Sequence, residues 1–225
     1  KLILDAAHLS GAQLEGRDPG HMADCTVYSF QAVKNLPTAD SGMICFMNEK
    51  LDALVRQLGW LGIDKSTAQR SSGGTYKWRY DVPNVGFKYH GNSIMASMGL
   101  VALKYLDEDN VRRREIAALY AAELEGHNKI GTIPVPKDLL HSRHTYQILV
   151  ENRDDLITAM READIYPGVH YVSNADYTPY TPYKRDLPKT EYFSDHVISL
   201  PLHLHMSDDD VKRVCKTVLA AINAA

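Results

Sequence analysis

Short apolar runs alternate with amphipathic segments along the first part of the chain. Leu2–Leu4, Thr26–Phe30 and Gly42–Phe46 have the length and residue types of strands, and apolar residues recur at helical spacing over Glu49–Leu58. The stretch Asp64–Asn84 has many turn residues and no sustained period. The alternation predicts α/β layers, and irregular chain of this length in a compact domain is more often functional than idle.

Helical spacing resumes in the second part of the chain, followed by a shorter mixture of strand and helix. The predicted elements are a helix at Ser93–Leu106 capped by Asn92 or Ser93, a helix at Asp109–Leu124, a break at Gly126–Pro136, a strand at Thr145–Val150, a helix at Arg153–Ala163, and a terminal helix at Asp208–Ile222 with Ser207 as its cap. This order predicts a small α+β domain after a larger α/β region, with the boundary between residues 106 and 107.

Composition narrows the function classes. The 225 residues are 44% hydrophobic and 24% charged, which is typical of a soluble globular protein and not of disorder or a membrane span. A formal net charge of -3 argues against a nucleic-acid partner. The cysteines are three in number and widely spaced, so we expect a reducing, cytoplasmic setting. The first residues resemble a buried strand more than a signal peptide, so we expect the chain to begin within a domain.

Three polar residues at predicted strand ends suggest a cofactor. Asp5 follows the first apolar run, Ser29 lies near the end of the second, and Lys34 comes five residues later. A carboxylate, a hydroxyl and an amine supply the contacts that pyridoxal phosphate needs for its ring nitrogen, its phosphate and its Schiff base. Each residue alone has an ordinary explanation: Asp5 as a helix cap or turn residue, Ser29 as structural, and Lys34 as an exposed lysine.

Other side chains have less specific interpretations. His196, His203 and His205 resemble metal ligands, the last two alternating as on a strand, but no Cys or carboxylate completes a set, so we expect no metal site. A polar and aromatic loop contains Tyr171, Tyr177, Tyr180 and Tyr183, interleaved with Pro179 and Pro182. Such a loop could stack on a nucleotide base or close over a site, or simply be anchored by ring packing.

Several motifs, in order along nearly the whole chain, carry a family resemblance. They are Asp5-Ala6-Ala7-His8, Tyr28-Ser29-Phe30 with Lys34, Gly86–Leu100, Arg113 with Tyr120, Asn152-Arg153-Asp154, Gly168-Val169-His170-Tyr171 and Leu200-Pro201-Leu202. With these motifs the chain resembles the sugar aminotransferases of the DegT/DnrJ/EryC1/StrS group, which use pyridoxal phosphate. The stretch that precedes the Asp motif in that family is not in this sequence.

The resemblance implies roles for four residues around the cofactor. Lys34 would form the Schiff base and later shuttle a proton between the carbons of the amino acid and the sugar. Asp5 would pair with the pyridinium nitrogen, and His8 would lie by the phenolic oxygen of the ring. Ser29 would hold the phosphate. His8 alone would be equally plausible as a satisfied surface histidine.

The resemblance also implies contacts to substrate and to a second subunit. The segment around Lys88 resembles one that reaches into the neighbouring subunit's active site, so Lys88 would meet the partner's cofactor phosphate and the protein would be a homodimer. Lys88 and His90 stand where the family commonly has Asn and Arg. His170 and Tyr171 would bind the sugar, although a histidine satisfied within the small-domain core is an equal alternative for His170.

The implied fold is the type I fold of pyridoxal-phosphate-dependent transferases. Residues 1–106 would be the C-terminal part of the cofactor-binding large domain, and residues 107–225 a long linking helix with the small domain. The implied reaction moves an amino group from an amino acid, expected to be glutamate, to a keto sugar linked to a nucleotide, in amino- and deoxysugar biosynthesis. The alternatives are a sugar dehydratase with the same cofactor, whose relatives have histidine in place of Lys34, and a non-catalytic regulatory or scaffold protein.

Overall fold

Two units of chain, Lys1–Leu106 and Asp107–Ala225, each make their own compact set of internal contacts. The computed structural model of the protein describes residues 1–72 and 78–224. Both units contain helices and strands, so the predicted α/β class is confirmed.

The sheet of the first unit contains both parallel and antiparallel pairs. Its strands are β1 (Ile3–Asp5), β3 (Cys25–Ser29) and β4 (Gly42–Phe46). The short strand β2 (Gln13–Leu14) lies between β1 and β3 in the chain but is outside this sheet. β1 runs parallel to β3, with Asp5 opposite Val27, and β4 runs antiparallel to β3, with Gly42 opposite Ser29. Because β1 and β3 are parallel, their carboxyl ends lie at the same edge of the sheet. The three predicted apolar runs are thus confirmed as strands.

The helices of the first unit begin at side-chain caps. They are α1 (Glu49–Gly59), α2 (Thr67–Ser71) and α3 (Ser93–Ala102), with Asn48, Ser66 and Asn92 as their N-caps. Asn92 accepts a hydrogen bond from the Met95 N–H at 3.0 Å, which confirms one of the two predicted caps. α2 was not predicted. It is a single short turn of helix within the stretch expected to be irregular, and residues 73–77 of that stretch lie outside the described residues.

The second unit packs helices on an antiparallel sheet. Its elements in chain order are α4 (Leu106–Leu124), β5 (Gly131–Thr132), β6 (Leu139–Leu140), β7 (Tyr146–Leu149), α5 (Arg153–Glu162), α6 (Pro188–His196), β8 (Val197–Leu200) and α7 (Asp208–Ala224). The sheet order is β5, β7, β8. Ile148, Met160 and Val218, from β7, α5 and α7, are completely buried in one core. Ser207 caps α7, as predicted, by accepting from the Asp210 N–H at 3.2 Å.

Part of the second unit differs from the sequence-based expectation. The tyrosine- and proline-rich segment contains two short 3-10 helices, Asn174–Asp176 and Thr178–Tyr183, followed by α6 and β8, neither of which was predicted. The expectation that His203 and His205 alternate on a strand is wrong, because they lie in the loop and turn after β8, with ring centroids 6.3 Å apart.

The described residues contain neither a metal-binding cluster nor a membrane-spanning helix. Residues 1–72 and 78–224 contain no group of His, Cys, Asp or Glu side chains arranged to hold a metal ion. In the same part of the chain, no helix combines the length and the apolar character needed to cross a membrane.

Candidate active site

Lys34 and His8 meet at the edge of the first sheet. The Lys34 Nζ lies 2.7 Å from the His8 Nε2, although the two residues are 26 positions apart in the chain. Both side chains are half-buried. An amine and an imidazole at this distance share a hydrogen bond, so a proton on Lys34 has an acceptor within reach when the His8 Nε2 is unprotonated.

The loop that contains Lys34 is closed by hydrogen bonds to the strand before it. Phe30 donates its N–H to the Ser41 carbonyl at 2.8 Å, and Thr38 donates its N–H to the Phe30 carbonyl, also at 2.8 Å. The hydroxyl of Thr38 donates to the same carbonyl at 3.2 Å. Asn35 and Leu36, which follow Lys34 directly, are buried. The backbone on either side of the lysine is therefore fixed by the fold.

A tight turn after β1 brings His8 to the lysine. The parallel ladder continues one residue beyond the strand, where Ala6 donates its N–H to the Val27 carbonyl at 2.8 Å. Ala7 then donates to the Asp5 Oδ1 at 3.0 Å, and Leu9 donates to the Ala6 carbonyl at 3.0 Å. An Asp that bonds the N–H two residues on stabilises this kind of turn. Asp5 therefore has the turn role considered from the sequence, and its exposed carboxylate keeps further acceptor capacity.

Asp5 and Ser29 lie on one face of the sheet. Asp5 is opposite Val27 in the parallel register, and Val27 and Ser29 are two residues apart on β3. Since side chains alternate along a strand and neighbouring strands keep the same pleat, all three point to the same side. The Ser29 Oγ accepts from the Gln31 N–H at 3.4 Å, which leaves its own O–H available as a donor.

Lys88 lies apart from this group in the described contacts. Its Nζ is 3.9 Å from the centroid of the Trp60 ring and 3.2 Å from the His90 Nε2. A lysine over an indole face makes a cation–π interaction. The backbone beneath it is held by the end of α1, where Phe87 donates to the Leu58 carbonyl at 2.6 Å. The segment that carries Lys88 is thus anchored while its side chains are exposed.

His170 and Tyr171 belong to the second unit and contact each other. Their rings meet edge to face with centroids 4.9 Å apart. The His170 Nδ1 is 2.8 Å from the Ser199 Oγ, and the Gln147 Nε2 donates to the His170 carbonyl at 2.6 Å. Tyr171 is exposed.

The residues that contact Lys88 and His170 were not predicted from the sequence. Trp60 had no periodic signal because it lies just after α1 ends. Ser199 is a polar residue inside the apolar run Val197–Leu200, and this was the available sign that it has a specific hydrogen-bond partner. Gln147 sits opposite Ser199 in the β7–β8 register, and that pairing cannot be deduced without the sheet.

Comparison with known proteins identifies the family. Residues 1–219 match the DegT/DnrJ/EryC1/StrS aminotransferase family. The chain belongs to this family. The predicted resemblance is therefore confirmed over nearly the whole sequence.

Three relatives illustrate the similarity. The spore coat polysaccharide biosynthesis protein SpsC of Bacillus subtilis is 34% identical over 100% of this chain and 60% of its own length. The UDP-4-amino-4,6-dideoxy-N-acetyl-beta-L-altrosamine transaminase of Campylobacter jejuni is 28% identical over 98% of this chain and 58% of its own. Among solved structures, the sugar aminotransferase Spr1654 of Streptococcus pneumoniae in its PMP form matches with a TM-score of 0.89 and 29% identity, over 99% of this chain and 59% of its own.

These matches show the shared fold and also a difference in length. The described fold is that of the family's sugar aminotransferases, as predicted. The chain spans about 60% of the length of the relatives it matches.

Proposed function

We propose that this chain is the part of a pyridoxal-phosphate-dependent sugar aminotransferase that carries the catalytic lysine, Lys34. The observation that carries the proposal is the 2.7 Å contact between the Lys34 Nζ and the His8 Nε2 at the carboxyl end of two parallel strands. Ligands in open α/β sheets bind at the carboxyl ends of strands. A lysine side chain anchored there beside a proton acceptor suits covalent catalysis by an amine.

The residues at this edge fit pyridoxal phosphate. When bound, the cofactor supplies an electron sink that stabilises a carbanion at the substrate carbon attached to nitrogen. The Asp5 carboxylate would hold a proton on the ring nitrogen, and the Ser29 hydroxyl, on the same face of the sheet, would donate to the phosphate. The fit is supported by the acceptor capacity that Asp5 retains after its single bond to the Ala7 N–H among the described residues.

His8 has a proton-handling role in this proposal. A protonated Lys34 is not a nucleophile, so its Nζ must lose a proton before it can attack a carbonyl carbon. The His8 Nε2 is the nearest described acceptor and would take that proton. The same hydrogen bond orients the amine towards the sheet edge. Lys34 would later take a proton from, or give one to, the substrate carbon attached to nitrogen, and return of the proton from His8 would reset the pair.

The proposed substrates are an amino-acid donor, taken to be glutamate, and a keto sugar linked to a nucleotide. Support comes from the family and from relatives named as a nucleotide-sugar transaminase and a polysaccharide biosynthesis protein. His170 and Tyr171 would bind the sugar, since they present a polar ring pair on a braced segment. The described cysteines are free thiols, which supports a reducing cytoplasmic setting.

The proposed partner is a second copy of the protein. The Phe87 and Tyr89 rings stack at 5.3 Å and are 57% and 81% exposed, on either side of Lys88. Exposed aromatic residues on an anchored backbone are typical of an interface. In a homodimer, Lys88 would reach the partner's cofactor phosphate. Sedimentation equilibrium should give a dimer, and a monomer with full activity would contradict this arrangement.

Reductive trapping tests the role of Lys34. The protein would be incubated with pyridoxal phosphate, its absorbance recorded, and borohydride added to fix the cofactor to the amine that holds it. Peptide mass spectrometry should then place the label on Lys34, and Lys34→Ala should take up none. Lys104→Ala, which removes another lysine of the first unit, is the matched control and should be labelled like the wild type. A label on another lysine, or none on folded wild-type protein, would contradict the proposal.

A further inference from the structure

His170 is held at three points by residues of the second unit. Its Nδ1 lies 2.8 Å from the Ser199 Oγ, and its backbone carbonyl accepts from the Gln147 Nε2 at 2.6 Å. Gln147 and Ser199 face each other across the β7–β8 pair, so one sheet supplies both contacts. On the third side, the imidazole lies against the α-carbon of Gly168, whose backbone pairs with that of Ser199. The ring therefore has a fixed position relative to the sheet.

The burial of Ser199 decides where the hydrogen of its hydroxyl lies. Ser199 is 4% exposed, and within the described residues its Oγ has one hydrogen-bond partner, the His170 Nδ1. A hydroxyl has one hydrogen to donate, and leaving a buried donor unpaired is costly. The favoured arrangement thus has the Ser199 O–H donating to the His170 Nδ1. A nitrogen that accepts carries no hydrogen, so in the neutral ring the proton is on Nε2.

We propose that Ser199 is a positioning residue that holds His170 as the Nε2–H tautomer, so that His170 offers a hydrogen-bond donor to an oxygen atom of a nucleotide-linked sugar. The identity of the ligand rests on the proposed function, whereas the tautomer rests only on the geometry of β7, β8 and Gly168. A ring with its proton on Nδ1 would offer an acceptor instead and would favour a different ligand group.

Gly168 also constrains the position of the His170 ring. A β-carbon on residue 168 would lie 2.7 Å from the His170 Cε1, closer than side chains approach in folded proteins, so the ring would have to move. Gly168→Ala therefore displaces the imidazole while leaving the Ser199 hydroxyl in place. This gives a second way to break the contact if Ser199→Ala does not fold.

The direct test is nitrogen-15 NMR of the full chain with labelled histidine at neutral pH. We expect the wild-type His170 to show a protonated Nε2 and a bare Nδ1, and we expect Ser199→Ala and Gly168→Ala to shift the ring towards a mixture of tautomers. Ser194→Ala is the control, because Ser194 is also buried in this unit and bonds the Ser173 N–H instead. A wild-type ring protonated on Nδ1, or a tautomer unchanged in both Ser199→Ala and Gly168→Ala, would overturn the proposal.

Binding tests the ligand class with UDP-N-acetylglucosamine as the probe. Saturating probe should shift the His170 Nε2 resonance in the wild type and in Ser194→Ala, and Ser199→Ala should weaken its binding about 3- to 10-fold, the effect of one hydrogen bond. Equal binding by Ser199→Ala and the wild type, or no response of the Nε2 resonance to bound probe, would overturn the ligand assignment. These readouts do not involve Lys34, so failure of the trapping experiment and failure of this inference are separate results.

Discussion

Replacing Gly86 with alanine tests whether backbone contacts hold the segment that carries Lys88. Gly86 lies against the end of α1, where a β-carbon would come 2.6 Å from the Leu58 carbonyl oxygen and also clash with the backbone of Gly62. Both obstacles are backbone atoms, so neither can rotate away as a side chain would. The segment Gly86–His90 would have to separate from α1.

The structure gives the magnitude of the effect. Separation breaks the Phe87 N–H to Leu58 carbonyl bond at 2.6 Å and the Leu61 N–H to Phe87 carbonyl bond at 2.9 Å. It also breaks the hydrogen bonds from the N–H groups of Tyr89 and His90 to the Gly59 carbonyl, at 2.9 and 3.1 Å. Each backbone bond contributes about 1 kcal/mol net, so we expect Gly86→Ala to lower the free energy of unfolding of the first unit by about 3 to 4 kcal/mol.

Urea unfolding followed by tryptophan fluorescence measures this loss. The chain has two tryptophans, so a Trp78→Phe background leaves Trp60, whose ring contacts Lys88 and His90, as the reporter. Gly91→Ala is the control, because a β-carbon there meets nothing within 4 Å, and it should change stability by less than about 1 kcal/mol. Equal stability of Gly86→Ala and Gly91→Ala would refute the reasoning.

Three further predictions concern the second unit. Tyr146→Phe should leave the free energy of unfolding unchanged or raise it by about 1 kcal/mol, because the buried Tyr146 hydroxyl has no partner among the described residues. Tyr120→Phe should lower it by about 1 kcal/mol, because the Tyr120 hydroxyl donates to the Pro201 carbonyl at 2.7 Å. Urea unfolding of the two variants compares these free energies. Burial raises the pKa of Tyr146 to about 12, above its unfolded value of about 10, so its titration leaves the free energy of unfolding unchanged well below pH 10 and lowers it as the pH rises towards 12. Unfolding measured from pH 9 to 12 should show this loss, and a slope unchanged by Tyr146→Phe would contradict it. Met160→Ala, at a completely buried site, should cost about 2 to 5 kcal/mol, and a loss below about 1 kcal/mol in urea unfolding would contradict its place in the core.

Elements of more than one helical turn, or with the residue types of strands, were predicted better than short or polar ones. The helix α5 was found within a residue of its ends, because it buries Leu156 and Met160 at helical spacing. The run Gly42–Phe46 was predicted from its length and residue types, although none of its residues is buried. α2 is five residues long and is held by its capping box, so it has too few apolar positions to show a period. α6 begins at Pro188 within a polar sequence, and its existence depends on packing.

The sequence by itself determined the family, the α/β class and the residue types available for chemistry, because each of these follows from the order and spacing of residues along the chain. Only the tertiary structure decided which of those residues meet. The contact of Lys34 with His8 depends on parallel pairing of β1 with β3, and that of His170 with Ser199 depends on the edge where residue 168 pairs with β8. Such contacts join residues more than twenty positions apart, and they depend on how whole strands pair, a property that no single motif contains.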